Sequence, residues 1–177
     1  TNEDDALNFS HAKTRRLGAE VLFDAIHQVA GLEGKFNGYS KPMRALEVRG
    51  VNAVYRNTNP SYGDRFLKLF GKPPRLMNSD QERSYETSLA QTFELVSGPG
   101  LDELLRNPEN QLTKFANSDE EVAAVVTKLY WSALSRAPTK EELEAIEIYA
   151  AGERDLRETL EDVVWGLINS KEFLLRY

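Results

Sequence analysis

The chain has 177 residues, of which 41% are hydrophobic, with 28 acidic side chains against 22 basic ones and a formal net charge of −6. This acidic balance argues against general binding to nucleic acid, which relies on clustered cations. Cysteine is absent, which excludes disulfides and thiolate metal sites, and the longest apolar run, Val122 to Val126, is too short for a membrane helix.

The first predicted helix runs from Ser10 to Gly31. Ser10 is suited to cap its start and Gly31 to end it. Apolar residues recur at steps of four along one side, at Leu17, Val21, Ala25 and Val29. This spacing predicts a helix packed in the interior.

Residues 32–60 show no helical period and are rich in glycine, asparagine and proline. We therefore predict a long irregular segment, in which Ala45 to Tyr55 is the one place where a short strand pair could form. A short helix follows from Ser61 to Phe70. It is ended by Gly71 and two prolines that cannot continue a helix.

A further helix is predicted before Gly98, on an apolar stripe made by Tyr85, Leu89, Phe93 and Val96. Two short helical segments should then follow, separated at Pro108. The residue stretches Ser118 to Glu121 and Thr139 to Glu142 both match the capping-box pattern, which predicts two helix starts.

The last third of the chain reads as three helices and a final turn. The apolar positions of the first two are Val122, Val125, Val126, Leu129 and Ala133, then Leu143, Ile146 and Ala150. The third begins near Asp155, and Ser170 is placed to cap the final turn. The sequence thus predicts a mainly α protein: a single-domain helical bundle over residues 1–177, with an irregular segment at about 32–60 and at most a minor strand pair.

No phosphate loop, zinc-protease motif or dinucleotide fingerprint occurs in the sequence. Two carboxylates in a predicted loop, Asp80 and Glu82, are weak candidates for a catalytic acid and base. The favoured interpretation is that they precede a helix, where the partly positive N-terminus stabilises acidic groups. We therefore expect no catalytic residue.

A weak candidate metal site lies on the first helix, where Glu20, Asp24 and His27 follow one another at spacings of four and three. A polar helix face is the favoured alternative. Trp131 and Trp165 lie beside apolar stripes, which favours a place in the core over a sugar-binding platform. We expect no metal and no cofactor.

A structural polar network is predicted to join the first helix to the loop around Asn78. It rests on charged residues that recur beside the apolar stripes: Arg15, Arg16, Glu20, Asp24, Arg75, Glu82 and Arg83.

Five stretches occur in an order that is typical of one family: "RRLGAEVLFDAI" at residues 15–26, "FLKLFGKPPRL" at 66–76, "ERSYETSLAQTFELVSG" at 82–98, "LYWSALSRAPTKEEL" at 129–143 and "EDVVWGLINSKEFLLRY" at 161–177. With them the chain resembles the C-terminal part of the planctomycete cytochrome-associated domain of unknown function number fifteen fifty-three. The resemblance covers nearly the whole chain.

The resemblance implies that the chain is part of a large periplasmic or exported multidomain protein in which a haem-type cytochrome c segment precedes this domain. It carries no established catalytic residues. Family members often have Cys-Glu-Cys-Glu-Arg where this chain has Ser79 to Arg83, so any thiol chemistry of that loop is impossible here.

We expect a non-catalytic structural or protein-interaction module whose partners are other domains of the same parent protein. The first alternative is a polysaccharide-active enzyme or carbohydrate-binding part that uses Asp80 and Glu82. The second is a docking partner for a cytochrome c domain, held by the acidic surface.

Overall fold

The computed structural model describes residues 14–48, 59–72, 86–152 and 155–176. In these ranges the chain is mainly helical, as predicted, with one two-stranded antiparallel sheet. In chain order the elements are β1 Arg15–Arg16, α1 Ala19–Ala30, a 3-10 helix Ala45–Glu47, α2 Tyr62–Leu69, α3 Leu89–Ser97, α4 Pro99–Arg106, α5 Gln111–Ala116, α6 Val122–Leu134, α7 Lys140–Ala150, α8 Leu156–Ile168, α9 Lys171–Leu174 and β2 Leu175–Arg176.

Helix α1 ends where the sequence predicts, at Gly31, whose φ of 70° is the left-handed conformation that glycine adopts readily. Its start was predicted wrongly. Residues 15–17 are extended because their backbone pairs with the end of the chain: Leu17 N donates to Leu174 O at 3.0 Å, and β1 pairs with β2. Ser10 lies outside the described residues.

The β1–β2 pair is the minor strand pair allowed by the sequence, but it lies elsewhere than predicted. Within the proposed Ala45 to Tyr55 pair, residues 45–47 form a 3-10 helix, and residues 49–58 lie outside the described ranges. Residues 32–44 of the irregular segment have one isolated bridge, between Gly34 and Met43.

Helix α3 is present, but the structure buries the face opposite to the predicted one. Leu89, Phe93 and Val96 are exposed by 78%, 65% and 47%. Gln91 and Leu95 are buried instead, since the Gln91 side chain donates to Leu69 O at 2.9 Å. The fourth predicted stripe residue, Tyr85, lies outside the described ranges.

One of the two predicted capping boxes is confirmed. Thr139 Oγ1 accepts a hydrogen bond from Glu142 N at 3.2 Å, and Glu142 accepts one from Thr139 N at 2.7 Å. The capping box predicted at Ser118 to Glu121 is wrong. Glu121, three residues after Ser118, is the N-cap residue of helix α6, and the Ser118 hydroxyl donates to Phe115 O instead.

A polar junction joins α4, α5 and α8. The Asn110 amide is fully buried and donates to Leu104 O at 3.0 Å and Leu105 O at 2.7 Å. Its oxygen accepts from Thr113 N and from the Arg157 guanidinium, at 3.1 and 3.2 Å. Asn110 therefore caps the end of α4 and the start of α5 with one side chain.

One apolar cluster contains buried side chains from every α-helix except α7, and its largest fully buried members are Phe23, Phe66, Phe70, Leu22, Leu67, Leu112, Leu129, Leu160 and Ile168. Helix α1 packs against α2, α4 and α6, and α8 packs against α4, α5, α6 and α7. None of the helices in the described ranges is both long and apolar enough to span a bilayer.

We predict that Asn110→Ala lowers the free energy of unfolding by about 3 kcal/mol, because two helix-end carbonyls and one amide lose their partner in a buried site. Urea unfolding followed by circular dichroism measures this change. Asn117→Ala is the matched control, since Asn117 is exposed at the end of α5. An equal effect of the two substitutions would contradict the role of the junction.

Candidate functional site

A cleft of about 540 Å³ opens between the C-terminal end of α1, the start of α2 and the length of α4. We name it the His27 cleft. Its polar and charged lining residues are His27, Glu33, Lys35, Ser61, Tyr62, Glu103, Asn107 and Glu109, and its remaining lining residues are Gly31, Leu32, Pro42, Gly63, Gly100 and Leu104.

Glycines shape the wall of the His27 cleft. A Cβ atom at Gly100 would lie 1.9 Å from the Tyr62 ring, and a Cβ atom at Gly63 would lie 2.6 Å from the Phe36 ring. A side chain at either position would force the aromatic ring to move. The absence of side chains at these two positions therefore fixes where Tyr62 and Phe36 lie.

The His27 side chain is buried, with 7% of its surface exposed, and it borders the cleft. Its Nδ1 lies 3.0 Å from Phe23 O, and its ring stacks on the Phe23 ring with centroids 3.9 Å apart. A carbonyl only accepts, so Nδ1 carries the proton and Nε2 is left as an acceptor. Desolvation by burial lowers the pKa of His27 to about 4, which keeps the ring neutral at pH 7.

Tyr62 forms the apolar side of the cleft. Burial raises the pKa of its hydroxyl, and the nearby Glu94 carboxylate raises it further. The phenol therefore stays neutral at pH 7. The ring also packs edge-on against Phe66, with centroids 6.0 Å apart.

A second cleft of about 240 Å³ lies on the other side of residues 32 and 33. His27 borders both clefts, and the second is also lined by Asp24, Gln28, Gly34, Met43 and Arg44. The carboxylate of Asp24 is already used there: it accepts from Ala45 N at 2.5 Å and Leu46 N at 3.1 Å.

Comparison with known protein families gives one match. Residues 1–150 match the family described as Protein of unknown function (DUF1553). The chain belongs to this family. Comparison with curated proteins and with solved structures found no match.

The part of this DUF1553 chain that follows the matched region contributes to the same core. Helices α8 and α9 come after residue 150, yet Leu160, Val164 and Ile168 are completely buried. All lining residues of the His27 cleft precede residue 110, so the cleft lies inside the region that matches the family, residues 1–150.

The candidate catalytic pair, Asp80 and Glu82, lies outside the described residues of the DUF1553 chain. The same holds for Arg75 and Arg83 of the predicted polar network. Their link to the first helix therefore stays a prediction.

The described members of that network have partners that the sequence did not indicate. Arg16 donates to Phe70 O at 3.0 Å and lies over the Phe70 ring, while Arg15 is exposed on β1. Glu20 forms a buried ion pair with Lys72, with 3.8 Å between Oε1 and Nζ. Asp24 binds the N-terminus of the 3-10 helix and lies 3.8 Å from the Arg44 guanidinium.

The candidate metal residues Glu20, Asp24 and His27 thus have three separate sets of contacts. Among the residues that the structure describes, no three histidine or acidic side chains are placed to hold a metal ion. Sequence reasoning missed Lys72 and Tyr62. The glycine Gly100, just inside α4, was the one sequence signal that could have pointed to close packing on Tyr62.

The prediction that both tryptophans lie in the core is wrong. Trp131 and Trp165 are exposed, and so is Tyr149, whose hydroxyl donates to Asp162 at 2.6 Å. Their neighbour Tyr130 is buried. Apolar periodicity located the helices but could not tell which aromatic residues at the edge of a stripe reach the interior.

We predict that Glu20→Gln lowers the free energy of unfolding by about 3 kcal/mol, because the buried Lys72 ammonium would lose the negative charge of the Glu20 carboxylate. Thermal and urea unfolding measure the change. Glu144→Gln on the exposed face of α7 is the control. If both variants melt at the wild-type temperature, the ion pair does not hold α1 to the end of α2.

We also predict that His27 makes the folded protein less stable as the pH falls. Because the pKa of His27 is about 4 in the folded protein and about 6.5 in the unfolded chain, the unfolded chain binds the proton first. The contribution of the neutral His27 ring to the free energy of unfolding is therefore complete above pH 6.5. It is lost as the pH falls towards 4, by up to about 3 kcal/mol.

The measurement is the free energy of unfolding in urea at a series of pH values. His27→Phe should show a flatter dependence than the wild type between pH 6.5 and 4. Carboxylates affect both proteins alike, so the difference between the two curves isolates His27. Identical curves would contradict a neutral buried imidazole.

Proposed function

We propose that this DUF1553 chain is a non-catalytic interaction module of a larger exported protein, and that it docks against a neighbouring domain of the same parent. The observation that carries the proposal is the exposed apolar face of α3. Leu89, Phe93 and Val96 share one side of that helix and are exposed. Contiguous exposed apolar surface is typical of protein–protein contact sites.

The exposed face of α3 continues onto α8. The Trp165 indole donates to Val96 O at 3.1 Å, so its ring lies at the C-terminal end of α3. We name Leu89, Phe93, Val96 and Trp165 the α3 surface. Val96 and Trp165 also line a depression of about 320 Å³. Large aromatic and aliphatic side chains beside a depression favour a docked protein.

The assignment as non-catalytic is supported by the ionised groups of α1. Glu20 and Asp24 are bound to Lys72 and to the 3-10 helix, which are structural contacts. The enzyme alternative depends on Asp80 and Glu82, for which no geometry is described. The neighbouring domain could be the haem domain implied by the family resemblance, in which case the acidic charge would assist the contact.

The test is calorimetric titration of the chain with the neighbouring domain of its parent, expressed separately. The double variant Leu89→Ser with Phe93→Ser should weaken binding at least about tenfold, since two apolar anchors lose their contact area. Stability should stay unchanged because both side chains are exposed. Ile148→Ser is the control, since Ile148 is 76% exposed but lies on α7.

Two results would contradict the proposal. One is an unchanged dissociation constant for the double variant. The other is binding that disappears with added salt while the double variant binds normally, because that pattern indicates docking through charge.

A further inference from the structure

Asn37 is the one asparagine of the sequence that is followed by a glycine. An asparagine side chain loses its amide most readily in this dipeptide, because glycine has no side chain to hinder the next backbone nitrogen. Tyr39 N donates to Phe36 O at 3.3 Å, and Gly38 has a φ of 87°. Since the φ of Asn37 is not positive, Asn37 and Gly38 form the centre of a type II turn.

The backbone nitrogen of Gly38 is open to reaction. Gly38 is exposed, and a Cβ atom there would meet no atom beyond its chain neighbours within 4 Å. In the described ranges its N–H group makes no hydrogen bond. This nitrogen is the one that attacks the side chain of the preceding asparagine in deamidation. What controls the reaction is therefore the Asn37 side chain.

The Asn37 side chain is bound to the segment that leads into α2. Its Oδ1 accepts from Ser61 N at 2.8 Å, and its Nδ2 donates to Asn59 O at 3.2 Å. The Asp64 carboxylate accepts from Asn37 N at 2.8 Å and from the Ser61 hydroxyl at 2.6 Å. We name Asn37, Asn59, Ser61 and Asp64 the Asn37 clamp. Ring closure turns Cγ of Asn37 towards Gly38 N, which pulls the amide away from both partners.

We propose that Asn37 is a deamidation site controlled by the fold, at which the reaction proceeds only when the Asn37 clamp opens. Gly38 N bonds to Asn37 Cγ, the bond from Cγ to Nδ2 breaks, and the amide leaves as ammonia with the proton that Gly38 N gives up. Water then adds to the resulting succinimide ring and opens it. Aspartate or isoaspartate is left at position 37, and water is the only co-reactant.

The modification would weaken the contact between the irregular segment and α2. An oxygen would replace Nδ2 and face the carbonyl of Asn59, which leaves two acceptors without a donor. The new charge would also lie near the Asp64 carboxylate, which is 2% exposed and contacts the same residue, Ser61. Two like charges in one site repel. Because Ser61 also lines the His27 cleft, deamidation should loosen that wall of the cleft.

The test compares the rate of modification at position 37 in the folded and in the unfolded chain. Both samples are incubated in the same mildly alkaline buffer, one of them with guanidinium chloride, and peptide mapping by mass spectrometry follows aspartate and isoaspartate. The folded chain should react at least about tenfold more slowly, because the reactive geometry is reached only after local opening. In the unfolded chain, Gly38→Ala should slow the reaction severalfold, since a side chain hinders the attacking nitrogen.

Variants test the clamp and the effect of the product. Asp64→Ala removes an acceptor of the clamp and should raise the rate in the folded chain severalfold. Asp102→Ala, at an exposed aspartate of α4, is the matched control and should not change the rate. Asn37→Asp reproduces one product and should lower the melting temperature. Ser40→Asp adds the same charge at an exposed position of the same segment and should not.

Four results would overturn the proposal: no modification at position 37 in the unfolded chain, equal rates in the folded and unfolded chain, an unchanged rate in folded Asp64→Ala, or a wild-type melting temperature of Asn37→Asp. If Asp64→Ala does not fold, Ser61→Ala takes its place, since it removes only the hydroxyl. The Asn37 clamp and the α3 surface share no residue, so the failure of either proposal leaves the other standing.

Discussion

The described structure depends on the burial of α1, and in particular on the ring of Phe23. Four other rings surround it: those of His27, Phe36, Tyr62 and Phe66, with centroid distances from 3.9 to 6.1 Å. This group joins α1, the irregular segment and α2. A side chain at Gly34 would clash with it, since a Cβ atom there would lie 2.3 Å from the Phe23 ring. The irregular segment therefore follows its path because glycine lets the backbone approach the rings.

Polar groups inside this core fix how the elements are oriented. Apolar contacts alone allow neighbouring elements to slide past each other. A buried ion pair or helix cap, in contrast, loses its stabilising energy when its geometry changes. Glu20 binds Lys72 just beyond α2, Asp24 binds the start of the 3-10 helix, and Asn110 binds two ends of neighbouring helices. The contacts of Glu20 and Asp24 tie α1 to segments far away in the chain, whereas Asn110 joins two helices that follow each other.

Local signals in the sequence predicted most helices correctly. Ser61, Thr139 and Ser170 each accept a hydrogen bond from the backbone at the start of a helix, as their position before an apolar period indicates. What failed depends on distant contacts. The start of α1 is set by pairing with β2, and the buried face of α3 is set by hydrogen bonds from Gln91 to Leu69 and from Asn169 to Leu95. The His27 cleft needs three elements at once, which no periodicity reveals.

The spacing of Glu20, Asp24 and His27 shows why a shared helix face is not yet a shared site. Residues at these spacings lie on one side of a helix, but seven residues rise about 10 Å along its axis. Along that length α1 passes three different neighbours. Glu20 meets Lys72, Asp24 meets the 3-10 helix, and His27 reaches the cleft. The first two side chains are neutralised by structural partners. At His27 the helix ends and glycine turns the chain away, so this last residue of the polar stripe borders both clefts.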